Sequence, residues 1–108
     1  MDNRSIKIDW LIIKRGVEWY QMCHDILMAY DHWRDILAPY GIPAIVTSAR
    51  DGVHRPGSRH YTGRAIDLRT RDIPEHLRST LAASLRERLG DGWTVILERD
   101  HLHVQRDS

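Results

Sequence analysis

Between residues 16 and 38 the apolar positions fall three and four apart. Trp19, Met22, Ile26, Ala29, Trp33 and Ile36 form one stripe, widened by Tyr20, Cys23, Leu27, Tyr30 and Leu37, while Glu18, Gln21, Asp25, His32 and Asp35 occupy the opposite side. That period predicts a helix over 16–38 with one buried face, stopped by Pro39 and Gly41. Residues 43–49 (PAIVTSA) predict a short buried strand. Residues 50–63 are rich in Gly, Pro, Arg and Ser and predict a loop long enough to be functional. Residues 65–69 alternate as a strand does. Asp72-Ile73-Pro74-Glu75 predicts a helix start, with Asp72 as N-cap, Pro74 in the first turn and Glu75 three residues after the cap. Leu77, Leu81, Leu85 and Leu89 continue it as one stripe to Gly90. Residues 93–97 and 101–105 predict an antiparallel hairpin. One long helix, short strands, a second helix and a terminal hairpin predict an α+β fold, its helices on one side of a small antiparallel sheet.

Composition narrows the class. The chain has 108 residues, 42% apolar and 29% charged, which suits one globular domain over 1–108 and excludes a mostly disordered chain. No apolar run approaches the roughly 18 residues of a membrane span, and no secretory apolar region follows Met1-Asp2-Asn3-Arg4. The expectation is therefore no membrane partner, and a monomer. A single cysteine, Cys23, excludes an internal disulfide and is too few for a thiolate zinc finger, so a metal here must rest on His and carboxylate ligands. Cys23 itself reads as a small core residue.

The charge balance is +1, which argues against a nucleic-acid partner. Yet 14 of the 16 basic residues are Arg, seven of them between Arg50 and Arg78. A GC-rich genome accounts for such a bias, and so does a surface that meets carboxylates or phosphates through guanidinium forks. Seven His residues are an excess. His24, His32 and His76 read as helix-surface residues and His54 as a loop residue.

The remaining polar groups cluster in Ser58-Arg59-His60-Tyr61-Thr62-Gly63-Arg64-Ala65-Ile66-Asp67 and in Asp100-His101-Leu102-His103. Residues two apart on a strand share a face, so His101 and His103 point the same way. His60 leaves the loop just before the strand that carries Asp67, and the small residues Gly63 and Ala65 allow close backbone approach. An isolated H-x-H pair is often two half-exposed histidines. Two His and one Asp that converge, however, leave an open fourth position on a metal, the pattern of catalytic zinc. Such a zinc lowers the pKa of a bound water to about 7 and polarises a carbonyl, and a nearby carboxylate serves as general base.

The two segments read S-x-H-x-x-G-x-A-x-D and D-H-x-H. Together they resemble the zinc D-alanyl-D-alanine carboxypeptidases and the phage L-alanyl-D-glutamate endolysin peptidases, relatives of the vancomycin-resistance dipeptidases and of the hedgehog signalling domain. The resemblance spans about residues 35–106. It implies a peptidase of that fold acting on peptidoglycan stem peptides, with one Zn2+ per chain held by His60, Asp67 and His103. His101 would steady the tetrahedral intermediate, Asp100 would be the base and Arg50 would stabilise the oxyanion. Two alternatives stay open within it. Glu98-x-x-His101 also has the acid-to-His spacing, with His101 as ligand, and Arg55 can take the place of Arg50. The hedgehog relationship also admits a zinc-binding recognition module without catalysis. Lack of a signal peptide is compatible with a phage-encoded protein made in the bacterial cytoplasm.

Overall fold

A computed structural model of the protein describes residues 6–8, 11–19, 22–51 and 58–107. Its strands are β1 (Ile6–Ile8), β2 (Leu11–Ile13), β3 (Ile45–Ser48), β4 (Ala65–Arg69), β5 (Trp93–Leu97) and β6 (His101–Arg106), and its α-helices are α1 (His24–Leu37) and α2 (Glu75–Leu89). The strands form one sheet in the order β1-β2-β3-β4-β6-β5. Every neighbouring pair is antiparallel except β2 with β3. Parallel neighbours need a crossover, and α1 supplies it. The expected α+β arrangement is thus present, with one parallel joint added by an N-terminal hairpin that the apolar pattern does not announce.

The helices cover one face of the sheet. Ile26, Ala29, Tyr30, Trp33, Ile36 and Leu37 are the buried side of α1, and Leu81, Ala82 and Leu85 that of α2. They join one apolar cluster with Leu11, Ile13, Val46, Ile66, Leu68, Val95, Leu102 and Val104 of the strands. Alternation along a pleated strand turns the intervening Asp67, His101 and His103 to the opposite, open face. The hydroxyl of Tyr30 ties the helix layer to the sheet. It donates to the Ala44 carbonyl (2.8 Å) and accepts from the Ile12 N–H (3.0 Å), and burial pushes its pKa above the usual phenol value.

Three local expectations need correction. The helix predicted over 16–38 begins at His24, because the preceding backbone is committed elsewhere: the Glu18 carbonyl accepts from the Arg50 N–H (3.1 Å) and the Cys23 N–H donates to the Gly63 carbonyl (2.7 Å). Trp19 and Met22 still pack against the core, which explains their helix-like spacing; Tyr20 and Gln21 lie outside the described residues. The N-cap of α2 is Pro74 rather than Asp72, since the Asp72 carboxylate is taken by Arg69 (Nε–Oδ2 2.9 Å). Cys23 is half-buried, packing against the core from its edge. His24 and His76 are exposed on the helix surfaces, and His32 is half-buried.

Candidate metal centre

The β4–β6 register makes Asp67 and His103 direct cross-strand partners. Side chains so placed start about 5 Å apart at Cβ, so pairing alone brings the carboxylate and the imidazole together. His60 arrives from a short 3-10 helix, Arg59–Thr62, in the turn before β4. Ser58 caps that helix, its Oγ accepting from the His60 N–H (3.2 Å). Gly63 closes it at φ 71°, a left-handed conformation that glycine adopts without steric cost. Arg59 donates to the Asp107 carbonyl (2.8 Å) and fastens the turn to the end of β6. The His60 side chain is left only 1% exposed.

Three ligand atoms meet on the open face. His60 Nε2 lies 3.2 Å from Asp67 Oδ1 and 3.3 Å from His103 Nδ1, and His103 Nδ1 lies 3.1 Å from Asp67 Oδ1. Zinc bonds of about 2.0–2.1 Å at tetrahedral angles place ligand atoms about 3.3 Å apart, so the trio has the spacing of one face of such a shell. These three residues can hold a metal ion.

The outer nitrogens fix the tautomers. His60 Nδ1 lies 2.7 Å from the Ala49 carbonyl oxygen, which only accepts, so Nδ1 carries the proton. His103 Nε2 lies 2.8 Å from Gln105 Oε1. The amide orientation is set in turn by its nitrogen donating to Asp107 Oδ1 (2.9 Å), a carboxylate that also accepts from the Thr94 hydroxyl. Both imidazoles therefore turn a lone pair toward Asp67. Outer-ring hydrogen bonds of this kind are what orient metal-binding histidines. Lone pairs from three atoms at this distance repel unless a cation or a proton lies among them.

Without a metal, the site favours a proton on His103 beside the Asp67 carboxylate. Burial pushes the Asp67 carboxyl up, but its hydrogen-bond contacts with His103 and His60 outweigh it and hold the group well below the usual carboxylate range. The hydrogen bond that His103 donates to Asp67 raises His103 above the ordinary imidazole value against the opposing effect of burial, with Gln105 and the charge of Glu98 adding to it.

The other predicted site residues gather less tightly. His101 Nε2 stands 3.7 Å from Asp67 Oδ1, outside the trio, while its Nδ1 lies 2.7 Å from Asp100 Oδ1. Asp100 sits in the hairpin turn, closed by the Glu98 N–H donating to the His101 carbonyl (2.8 Å). That bend frees Asp100 from strand alternation, and it lines the same recess of about 530 Å³ as Asp67 and His101. Its side chain is 86% exposed, and the hydrogen bond with His101 lowers its pKa. Glu98 is exposed at the end of β5 and does not line the recess. Arg50, half-buried, follows the residue whose carbonyl holds His60 but is also not in the recess wall. His54 and Arg55 lie outside the described residues.

Gln105, Asp107 and the Ala49 carbonyl are the supports that motif reading misses. Gln105 alone leaves a trace, since H-x-H-x-Q puts it on the face of His101 and His103. No family model matches the chain, and no solved structure matches it. Among the described residues, no helix is long and apolar enough to cross a membrane.

Proposed function

We propose that the protein is a zinc-dependent peptidase that hydrolyses peptidoglycan stem peptides, of the D-Ala-D-Ala carboxypeptidase or L-Ala-D-Glu endopeptidase type. The observation that carries this reading is the trio itself: His60 Nε2, Asp67 Oδ1 and His103 Nδ1 within 3.1–3.3 Å of one another, with both outer ring nitrogens occupied. Two imidazoles and one carboxylate suit zinc and leave its fourth position open, as catalytic sites do. The substrate class comes from the resemblance of the two motifs.

When bound there, zinc supplies a Lewis acid that polarises the scissile carbonyl and acidifies the attacking water. The chain does the rest. His60 and His103 are held rigid by Ala49 and Gln105. Asp100, hydrogen-bonded to His101 in the recess, receives the proton of the attacking water and returns it to the leaving amine. His101 Nε2, beside Asp67, steadies the tetrahedral species.

Digestion of purified peptidoglycan by the zinc-loaded protein tests the proposal. New amino termini should appear, vanish on chelation and return with zinc. A zinc-loaded protein that releases none from any wall substrate is a recognition module instead, and the peptidase reading falls.

A further inference from the structure

The recess beside Asp67 and His101 has a wall that the hydrolytic reading does not use. Lys14, Arg71, Arg78 and Arg99 all line it, and none forms an ion pair with a carboxylate among the described residues. Arg78 is held in place by a neutral acceptor, its Nε donating to the Ile73 carbonyl (2.9 Å), so its charge is directed but not neutralised. Arg69, by contrast, already has Asp72 at 2.8 Å.

A second observation is independent of charge. Thr70 forms part of the same wall, is 1% exposed, and its Oγ1 has no hydrogen-bond partner among the described residues. A buried hydroxyl left unpaired costs about 1–3 kcal/mol, which a folded protein rarely bears without a use. A hydroxyl donor in a wall shared with guanidinium groups is chemistry suited to an oxyanion.

We propose that this wall is a carboxylate subsite, in which Arg71, Arg78 and the Thr70 hydroxyl hold an anionic group of the peptide whose scissile bond lies at Asp67 and His101. Placing the anion on the peptide rests on the peptidase reading; the binding of an anion does not. Such a contact fixes the peptide's register, since binding energy gained away from the reacting bond is what orients it.

The test is an NMR titration of the zinc-loaded protein with succinate, with the neutral isostere succinamide and with inorganic phosphate. Succinate should shift the Thr70, Arg71 and Arg78 signals saturably and in a salt-sensitive manner, and succinamide should not. Arg71→Gln should weaken succinate about tenfold, the worth of one charge-assisted hydrogen bond, with metal content unchanged. Thr70→Val should weaken it too while leaving thermal stability equal or higher, an outcome that a purely structural threonine would not give. Shifts confined to His60, Asp67 and His103, or affinity indifferent to Arg71→Gln and Thr70→Val, would overturn the subsite. Phosphate bound without succinate would remove the carboxylate assignment. Succinate binding in a protein that digests no wall substrate would leave the subsite standing and the peptidase reading fallen; digestion without succinate binding would do the reverse.

Discussion

Leu68 and Asp67 are neighbours on β4, and Leu102 and His103 are neighbours on β6, yet each pair divides between two different kinds of structure. Leu68, Ile66, Leu102 and Val104 are all 0% exposed beneath the helices. Asp67 and His103 stand on the other face, held by hydrogen bonds of 2.8–3.1 Å to each other and to Gln105. The apolar face is stabilised by area removed from water, which has no direction and tolerates repacking. The polar face is set by lone pairs and ring orientation, where an ångström matters. Stability and the candidate metal centre are thus carried by alternate residues of the same strands, and substitutions should separate them.

The largest separation is expected at His60. Metal at a hundred times its Kd stabilises a folded protein by about 2.7 kcal/mol, roughly 10 °C in Tm for a domain of this size. By calorimetry the wild type should show that gain with zinc and His60→Ala should show none. Next is the turn: Asp100→Ala should keep its metal but lose kcat by roughly 10²–10⁴, the worth of a positioned acid or base. Glu98→Ala should retain most activity in the same peptide-release assay; the opposite pattern moves the base to Glu98.

On the apolar face, Leu102→Ala should cost about 2–5 kcal/mol in urea unfolding of the metal-free protein. Ile96, 44% exposed and opposite His103, should tolerate Thr to within about 0.5 kcal/mol. At Gln105, Gln105→Leu should weaken zinc by about 10–100-fold without a loss of helix signal.

The finest test is pH. In the metal-free protein His103 is raised and Asp67 lowered. The Asp67 contribution is present above the unfolded value of about 3.9 and is lost as pH falls through its folded pKa. The His103 contribution is complete below the unfolded value of about 6.5 and is lost as pH rises through its folded pKa. Metal-free Tm should therefore fall with rising pH above about 6.5. With zinc the slope should reverse, because binding displaces the proton from His103. Parallel slopes would mean that proton and metal do not share the site.

Regular alternation made much of this legible. β4 and the β5–β6 hairpin follow from period-two patterning, and the closeness of His60, Asp67 and His103 was written in two local motifs. The N-terminal hairpin was not, because its two strands have three residues each and its sheet neighbour β3 lies beyond α1. The start of α1 is hidden because Trp19 and Met22 meet the core from a non-helical segment at spacing a helix would also produce. Asp72 lost its capping role to a pairing with Arg69 that sequence spacing does not rank. Ala49 was illegible for a different reason: its contribution is a backbone carbonyl, which any residue supplies.

His60, Asp67 and His103 can hold a metal ion, with both rings already oriented by the fold. Calorimetric titration of zinc into metal-stripped protein tests it most directly. Saturation is expected at one zinc per chain, with proton release as His103 gives up its proton, and no comparable binding in His60→Ala or His103→Ala. A wild type that binds no zinc, or binds it equally well with either histidine replaced, would contradict it.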